Sequence, residues 1–350
     1  MHHSNNIKIA HKLTPAYRSE ILSVGSYLPD QRVKSDDIME ELHSFQQYGM
    51  PTNWMSKEMG IEERRMAPDE FNPSDLAIRA GREALENCTN LNPQLIDAVI
   101  FCGIERDHPE PATAHTIQNK LGLKANHVFD VANACYGFVD GLKLATAMIE
   151  SNMINYALVV TGEVSTRVLK AVVGMLKKGV TKEKANTLWG ALSLGDAGGA
   201  VILGQADNDS TGFRAFNQKC DSRQVDRCHY KFRPDGSVDG QMQMAQIVAR
   251  GFQLNKGMLG DTLKMLGWDG FDWALTHQTG KRTFQQTLTL QSINDDKLVK
   301  TYPYLGNITT ATLPVCLKKL LDTGLVKKGD RIGGLFAGSG ITTGQFGYIV

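Results

Sequence analysis

Short apolar runs alternate with segments of helical period along most of the chain, and this alternation limits the folds open to it. The runs at 95–103 and 154–163 are mainly apolar and are predicted to be buried strands, whereas 113–123 has the spacing of a helix. Buried strands that alternate with helices are typical of layered folds in which helices cover a sheet. The sequence therefore predicts an α/β architecture.

A polar, irregular stretch at 210–240 divides this pattern into two parts. A chain of 350 residues is long enough for two domains or for one double-sized unit. We expect the stretch to be a connection or an insertion and place the boundary between a half at 1–207 and a half at 208–350. The second half repeats the pattern of the first, with helices predicted at about 241–266, from about 280 and at 312–324, and strands at 271–278, 331–338 and 345–350.

Charge and hydropathy exclude several classes of function. Lys and Arg total 38 against 37 for Asp and Glu, so no net charge draws the protein to nucleic acid or to an anionic membrane. No stretch approaches the ~18 apolar residues of a membrane span, and the first residues lack the apolar core of a secretion signal. We therefore expect a cytoplasmic protein that acts on a small or carrier-borne substrate.

The six cysteines are spread along the chain without the dense spacing of a disulfide scaffold, so they are expected to be free thiols. Cys220, Cys228 and His229 could be imagined as metal ligands. Their gap is not that of a zinc knuckle and no second ligand pair follows, so no metal is expected.

Cys135 stands out because of its position between a strand and a helix. Phe138, Leu142, Ala145 and Ile149 are three or four residues apart, as the buried face of a helix requires. Backbone N–H groups at a helix N-terminus favour a thiolate and can bind an oxyanion, which is an arrangement suited to a nucleophile. The alternative is that Cys135 is a small core residue, as most buried cysteines are.

Three further features could serve such a nucleophile. His277 follows an apolar strand, where α/β folds gather their ligands, although it could also be a buried structural histidine. Asn307 precedes a helix and could act only as its N-cap. The loop "GSG", with Gly338, Ser339 and Gly340, follows the last buried strand and can bring its N–H groups close to a ligand.

The segments "DVANACYGF", "HQ" at 277–278, "GNITTATLP" and the terminal "GSG", in this order, resemble the thiolase-superfamily condensing enzymes of the 3-oxoacyl-[acyl-carrier-protein] synthase III family. "GIEERRMA" at 60–67 is similar to the same family's N-terminal segment, so the resemblance runs from about residue 20 to Val350. It implies a five-layered αβαβα thiolase fold built from two similar halves, and a homodimer. It also implies thioester substrates on CoA or on an acyl-carrier protein, and no cofactor.

One branch of the family is more similar than the others. "RDHPEPATA" at 106–114 and "KKGDRIGGLFAGSG" resemble the OleA-type enzymes, which join two fatty acyl-CoA molecules head to head. Glu110 matches a glutamate that, in this branch, reaches the active site of the neighbouring subunit. The alternative for Glu110 is a solvated charge on a loop beside Pro111.

The resemblance also implies roles for the other residues. Cys135 would attack an acyl thioester, with the N–H groups of Cys135 and Ser339 as the oxyanion hole. His277 and Asn307 would stabilise the enolate of the second thioester. Glu110 would remove the α-proton in head-to-head condensation, whereas loss of carbon dioxide from a malonyl group would make a base unnecessary.

Two positions depart from the family pattern. Trp54 matches a tryptophan that lies against the adenine of CoA, but Glu58 stands where the family usually carries an arginine that faces a CoA phosphate. "HQTG" lacks the asparagine of the usual "HQAN". Binding of CoA by the usual contacts is therefore open, and an acyl-carrier-protein donor is an alternative.

Two other classes of protein fit parts of the pattern. A cysteine peptidase also orders Cys, His and Asn, but such enzymes place the cysteine near a mature N-terminus in secreted chains, whereas Cys135 lies in mid-chain. A homologue without activity could bind acyl chains or serve as a partner subunit. The complete set of Cys135, His277 and Asn307 argues against it.

Overall fold

The computed structural model describes residues 18–350 of the chain. Its strands are β1 (Ser19–Tyr27), β2 (Gln31–Lys34), β3 (Glu63–Met66), β4 (Ala98–Phe101), β5 (His127–Asp130), β6 (Ala157–Glu163), β7 (Ala197–Gln205), β8 (Gly212–Cys220), β9 (Cys228–Phe232), β10 (Val238–Met242), β11 (Trp273–Thr276), β12 (Arg331–Gly338) and β13 (Thr342–Ile349).

The α-helices are α1 (Ser35–Glu41), α2 (Ser44–Tyr48), α3 (Trp54–Lys57), α4 (Pro73–Asn87), α5 (Thr113–Leu121), α6 (Gly137–Glu150), α7 (Thr166–Lys177), α8 (Lys182–Asn186), α9 (Met244–Asn255), α10 (Met258–Leu266), α11 (Lys281–Gln291), α12 (Tyr302–Leu305) and α13 (Thr312–Asp322). Short 3₁₀ turns lie at Pro93–Leu95, Trp189–Ser193, Ser222–Arg227, Asp295–Lys297 and Thr309–Ala311.

Two sheets of similar topology form the body of the protein. The first has the order β1-β7-β6-β4-β5, in which β6, β4 and β5 are parallel and the β1–β7 and β7–β6 pairs are antiparallel. The second has the order β8-β13-β12-β11, again with two antiparallel pairs followed by a parallel one. The two sheets therefore repeat one arrangement. The predicted boundary at 207 falls in the connection between β7 and β8.

Helices separate and cover the two sheets. Leu142 and Phe138 of α6 and Leu313 and Leu317 of α13 are buried in one core cluster with residues of both sheets, so these helices form a central layer. Helices α4 and α5 pack on the outer face of the first sheet, and α9 and α10 pack on the second. This αβαβα order confirms the predicted fold class.

The sequence interpretation was wrong in two places. The stretch at 210–240 contains β8, a largely buried strand of the second sheet, and the β9–β10 hairpin, whose partly exposed strands tolerate polar residues. The single helix predicted at 241–266 is two helices. Lys256, with φ −58° and ψ 122°, leaves the helical conformation and ends α9.

None of the helices in the described part of the chain has both the length and the apolar character that a membrane-crossing helix needs. All six cysteines are unpaired thiols.

Candidate active site

Cys135 lies in a tight turn between β5 and α6. Ala134, directly before it, has φ +46°, a left-handed conformation that is unfavourable for a residue with a side chain. The turn continues into α6, which begins at Gly137. Strained residues of this kind concentrate at functional sites, and here the strained turn carries the predicted nucleophile.

The second sheet approaches this turn closely because the sheet has glycines at the two positions that face Tyr136, Gly338 and Gly344. A Cβ at Gly344 would lie 1.8 Å from the hydroxyl oxygen of Tyr136, and one at Gly338 would lie 2.9 Å from the backbone nitrogen of Tyr136. The glycines bring the end of β12, and with it Ser339, beside Cys135. The N–H of Ser339 donates to no other backbone group of residues 18–350.

Two cavities meet at Cys135 and Ser339, which line both. One, of about 120 Å³, is also lined by His277, and we call it the His277 cavity. The other, of about 650 Å³, is also lined by Asn307, and we call it the Asn307 cavity. The structure thus places the predicted nucleophile between the two predicted polar partners.

The sequence expectation about the Cys135 thiol was wrong in one respect. Burial raises the pKa of Cys135 above the ordinary thiol value, and nearby Cys228 and Glu163 raise it further, whereas the residue's own backbone N–H lowers it only partly. Desolvation of the thiolate therefore outweighs the influence of the helix N-terminus. At neutral pH Cys135 is a protonated thiol whose proton must be removed when it reacts.

His277 is available as a neutral imidazole. Burial lowers its pKa to about 4, and its Nδ1 atom has no hydrogen-bond partner among the described residues. Its backbone N–H donates to the carbonyl of Leu335 at 3.3 Å, which attaches the end of β11 to β12. A neutral imidazole can accept a proton at one nitrogen or donate a hydrogen bond from the other.

Asn307 is buried and its side chain is oriented by the following turn. Its Oδ1 accepts a hydrogen bond from the backbone N–H of Thr309 at 3.1 Å. Asn307 is not the N-cap of a helix, because Ile308 precedes the 3₁₀ turn and Ala311 precedes α13, and its local turn contact uses only the oxygen. The Nδ2 group is left as a donor on the side of the residue that lines the Asn307 cavity.

Glu163, at the end of β6, is buried and forms a hydrogen bond with the turn that follows Asn307. Its carboxylate accepts hydrogen bonds from the hydroxyl of Thr310 and from the N–H of Ile104, while Oε2 has no partner among residues 18–350. Burial raises the pKa of Glu163 to about 8, with the hydrogen bonds from Thr310 and Ile104 acting against the shift. The carboxyl is therefore largely protonated at neutral pH.

Sequence reasoning missed several residues of the Asn307 cavity. Glu105 lies there with a pKa raised by burial, and its Oε1 accepts a hydrogen bond from Tyr230 Oη at 3.1 Å. Cys228 lines the same cavity, and burial raises the pKa of its thiol, although the Ser339 hydroxyl lowers it. Tyr230 and Cys228 belong to β9, which falls in the stretch expected to be irregular, so no periodic signal pointed to them.

Three predicted residues lie apart from the cavities. Glu110 is exposed on the loop before α5 and lines neither cavity. Trp54 is half-buried against Trp189, with ring centroids 6.5 Å apart. Gly340 follows Ser339 but does not line either cavity. Within this single subunit the structure brings together Cys135, His277, Asn307, Ser339 and Gly338, and not the other three.

Two family profiles match the chain. The profile described as 3-oxoacyl-[acyl-carrier-protein (ACP)] synthase III matches residues 129–222, which include Cys135. The profile described as the C-terminal part of the same synthase matches residues 264–346, which include His277, Asn307 and Ser339.

Individual proteins match over nearly the whole chain. An acyl-CoA:acyl-CoA alkyltransferase of Xanthomonas campestris is 29% identical over 315 residues, covering 88% of this chain and 91% of the relative. A beta-ketoacyl-[acyl-carrier-protein] synthase III of Neisseria meningitidis is 29% identical over 332 residues, covering 91% and 97%.

Solved structures agree with these sequence matches. A glutamate-to-glutamine variant of Xanthomonas campestris OleA superposes with a TM-score of 0.89 at 25% identity, covering 97% of this chain and 99% of the other. A cysteine-to-serine variant of the same protein, with bound lauric acid and lauroyl-CoA, gives 0.88 at 26% identity, covering 95% and 99%.

Proposed function

Because this chain belongs to the 3-oxoacyl-[acyl-carrier-protein] synthase III family of condensing enzymes, we propose that it is an acyltransferase that joins two fatty acyl-CoA molecules head to head. The observation that carries the proposal is the position of Cys135 at the junction of two cavities, one lined by His277 and the other by Asn307. A nucleophile that holds one acyl group while a second thioester is activated beside it needs this arrangement.

The first half-reaction forms an acyl enzyme. The sulfur of Cys135 attacks the carbonyl carbon of the first acyl-CoA, and neutral His277 takes the thiol proton and passes it to the sulfur that leaves. The N–H groups of Cys135 and Ser339 hold the tetrahedral oxyanion. The products are free CoA and an S-acyl group on Cys135, with His277 neutral again.

The second half-reaction forms the new carbon–carbon bond. The carbonyl oxygen of the second acyl-CoA accepts hydrogen bonds from His277 Nε2–H and Asn307 Nδ2–H, which stabilise its enolate when a base removes the α-proton. The α-carbon attacks the acyl carbon on Cys135, the carbon–sulfur bond breaks, and the thiolate that leaves recovers, through the base, the proton taken from the α-carbon. The product is a β-ketoacyl-CoA. The buried environment of Cys135 favours this return to the neutral thiol.

The base in this scheme is Glu110 of the partner subunit in a homodimer. Within one subunit the residue is exposed and outside both cavities, so it can act only across an interface. It lies on the exposed loop that precedes α5. A second subunit is therefore part of the proposed active site.

Cationic side chains favour a negatively charged thioester. Arg106, Arg167 and Lys231 line the Asn307 cavity, where they can attract the phosphates of CoA or of a phosphopantetheine arm. Trp54 lies outside this cavity, and its contact with adenine remains a proposal.

A second candidate function is the ordinary synthase III reaction. The exposure of Glu110 favours it, because loss of carbon dioxide from a malonyl carrier protein generates the carbanion without a base. The same Cys135, His277 and Asn307 would serve that reaction.

Product analysis with two substrate sets separates the two functions. Long-chain acyl-CoA alone should yield a β-ketoacyl-CoA that contains both acyl chains, together with its decarboxylation product after hydrolysis. A product that forms only when malonyl-carrier protein is added would contradict head-to-head condensation and support the second candidate. No product from either set would overturn both.

A further inference from the structure

The wall of the His277 cavity has two chemically different sides. One side is apolar and consists of side chains from α9 and the second sheet, including Ile247, Phe252, Leu335 and Phe336. The other side is polar. A cavity that received only a plain hydrocarbon chain would be expected to be apolar on all sides, since buried polar groups without partners are unfavourable.

The polar side is a row of threonines that begins just before α11 and continues along it. Thr283 and Thr287 are four residues apart on one face of α11 and line the cavity, and Thr279, which precedes the helix, lines it too. The hydroxyl of Thr283 donates to the carbonyl of Gly280 at 2.8 Å, and that of Thr287 donates to the carbonyl of Thr283 at 3.0 Å. Because these hydrogens are engaged with the backbone, both oxygens are acceptors. The Thr283 oxygen lies 2.8 Å from the Thr279 hydroxyl and accepts from it, whereas the Thr287 oxygen has no donor among the described residues.

An amide pair closes the same row. Gln291, the last residue of α11, lines the cavity, and its Oε1 accepts a hydrogen bond from Gln345 Nε2 at 3.2 Å. Gln345 is fully buried, and its Oε1 has no partner among residues 18–350. The Nε2 group of Gln291 makes no hydrogen bond to another described residue. Gln345 does not itself line the cavity, so this end of the cavity offers one unpaired donor, Gln291 Nε2.

We propose that the His277 cavity selects an acyl chain that carries a hydroxyl group. A hydroxyl donates to a threonine oxygen and accepts from Gln291 Nε2, whereas a hydrocarbon segment satisfies neither. The apolar side accommodates the methylene groups of the same chain. This inference rests on the proposed function, because it takes Cys135 as the residue that receives the acyl group.

The test compares the rates at which Cys135 is acylated. The probes are dodecanoyl-CoA, β-hydroxydodecanoyl-CoA and ω-hydroxydodecanoyl-CoA, which place the hydroxyl near the thioester or at the far end of the cavity. Acyl-enzyme formation is followed by intact mass at limiting substrate. At least one hydroxylated chain should react ~10-fold or more faster than the plain chain, because a site built to pair a hydroxyl discriminates against its absence.

Variants of α11 assign the preference to the threonine row. Thr283→Val and Thr287→Val keep shape and remove the acceptor oxygens, and they should reduce the preference ~5-fold or more. Thr289→Val is the matched control, since Thr289 is exposed on the same helix and makes the same kind of backbone contact, at 3.1 Å to Gln285. The Thr289→Val variant should keep the wild-type preference for a hydroxylated chain over the plain chain.

The outcomes distinguish this inference from the proposed function. Equal or faster acylation by dodecanoyl-CoA in the wild type would overturn selection for a hydroxyl while leaving the acyl enzyme in place. Absence of any adduct with all three probes would instead contradict the proposed function itself. A preference that survives unchanged in both valine variants would contradict the role of the threonine row.

Discussion

The side-chain oxygen of Asn307 accepts a hydrogen bond from the backbone N–H of Thr309 at 3.1 Å, and this contact leaves the amide nitrogen to donate into the Asn307 cavity. Thr309 itself has φ +49°, and Thr310 beside it donates to the buried carboxyl of Glu163. The strained turn is anchored to the buried Glu163 through Thr310, and its Thr309 N–H orients the Asn307 amide so that the nitrogen faces the substrate.

Replacing Asn307 or His277 by alanine should affect the two half-reactions differently. Asn307→Ala removes an enolate donor, so condensation should fall ~10²- to 10³-fold while acylation of Cys135 continues. His277→Ala removes a donor and the proton carrier, so both steps should slow. Rapid-quench mass measurement of the acyl enzyme and chromatography of the product report the two steps separately. Asn294→Ala, at an exposed asparagine outside both cavities, is the control. Equal loss of both steps in Asn307→Ala would assign that residue to the fold instead.

Replacing Glu110 by glutamine should remove the base and keep the size of the side chain. Acylation should persist, and condensation of acyl-CoA should fall ~10²-fold or more. Because Glu110 is proposed to act across the dimer, mixed dimers of Glu110→Gln and Cys135→Ala chains should regain part of the activity. Full condensation activity of Glu110→Gln with acyl-CoA alone would refute this role.

Glu105 is the other glutamate that could act as the base, so its variant is compared with Glu110→Gln. It lies in the Asn307 cavity of the same subunit, and burial raises its pKa. We expect Glu105→Gln to lose less than ~10-fold in condensation, because Tyr230 already engages one of its carboxylate oxygens. If Glu105→Gln loses condensation and Glu110→Gln does not, the base lies within the subunit.

The stability of the protein should depend on pH through Glu163. Its pKa is raised from 4.5 to about 8 in the folded state. Between these values the unfolded chain releases the proton while the folded protein keeps it, so the free energy of unfolding falls as pH rises, by up to about 1.4 kcal/mol per pH unit. Glu163→Gln should not show this loss.

The measurement is the melting temperature of both proteins at several values between about pH 5 and about pH 8. The melting temperature of the wild type should fall relative to that of Glu163→Gln as pH rises. At about 2 °C per kcal/mol, the change in this difference should be several degrees. Other buried acids, such as Asp196, are present in both proteins and cancel. A constant difference across the range would show that Glu163 is ionised in the folded state.

The sequence predicted the parts of the site that stand next to regular elements. Cys135 before a helix, His277 after a strand and Asn307 before another helix were all identifiable because the elements around them have strong apolar patterns. The fold class followed from the same patterns together with the family resemblance.

What the sequence did not predict depends on contacts between distant segments. Glu105 and Tyr230 meet across the Asn307 cavity although 125 residues separate them in the chain. The spacing of Thr279, Thr283 and Thr287 is visible in the sequence, but not which cavity that face lines. The raised pKa of the Cys135 thiol comes from burial by both halves, which outweighs the local influence of the helix.

The central claim is that Cys135 carries the acyl group, and intact-mass spectrometry with peptide mapping tests it most directly. Incubation of the wild type with an acyl-CoA should add the mass of one acyl group, and mapping should place it on Cys135 and on none of the other five cysteines. Cys228→Ser, which alters the other thiol of the Asn307 cavity, should still form the adduct, and Cys135→Ala should not. An adduct of unchanged amount in Cys135→Ala would contradict the account.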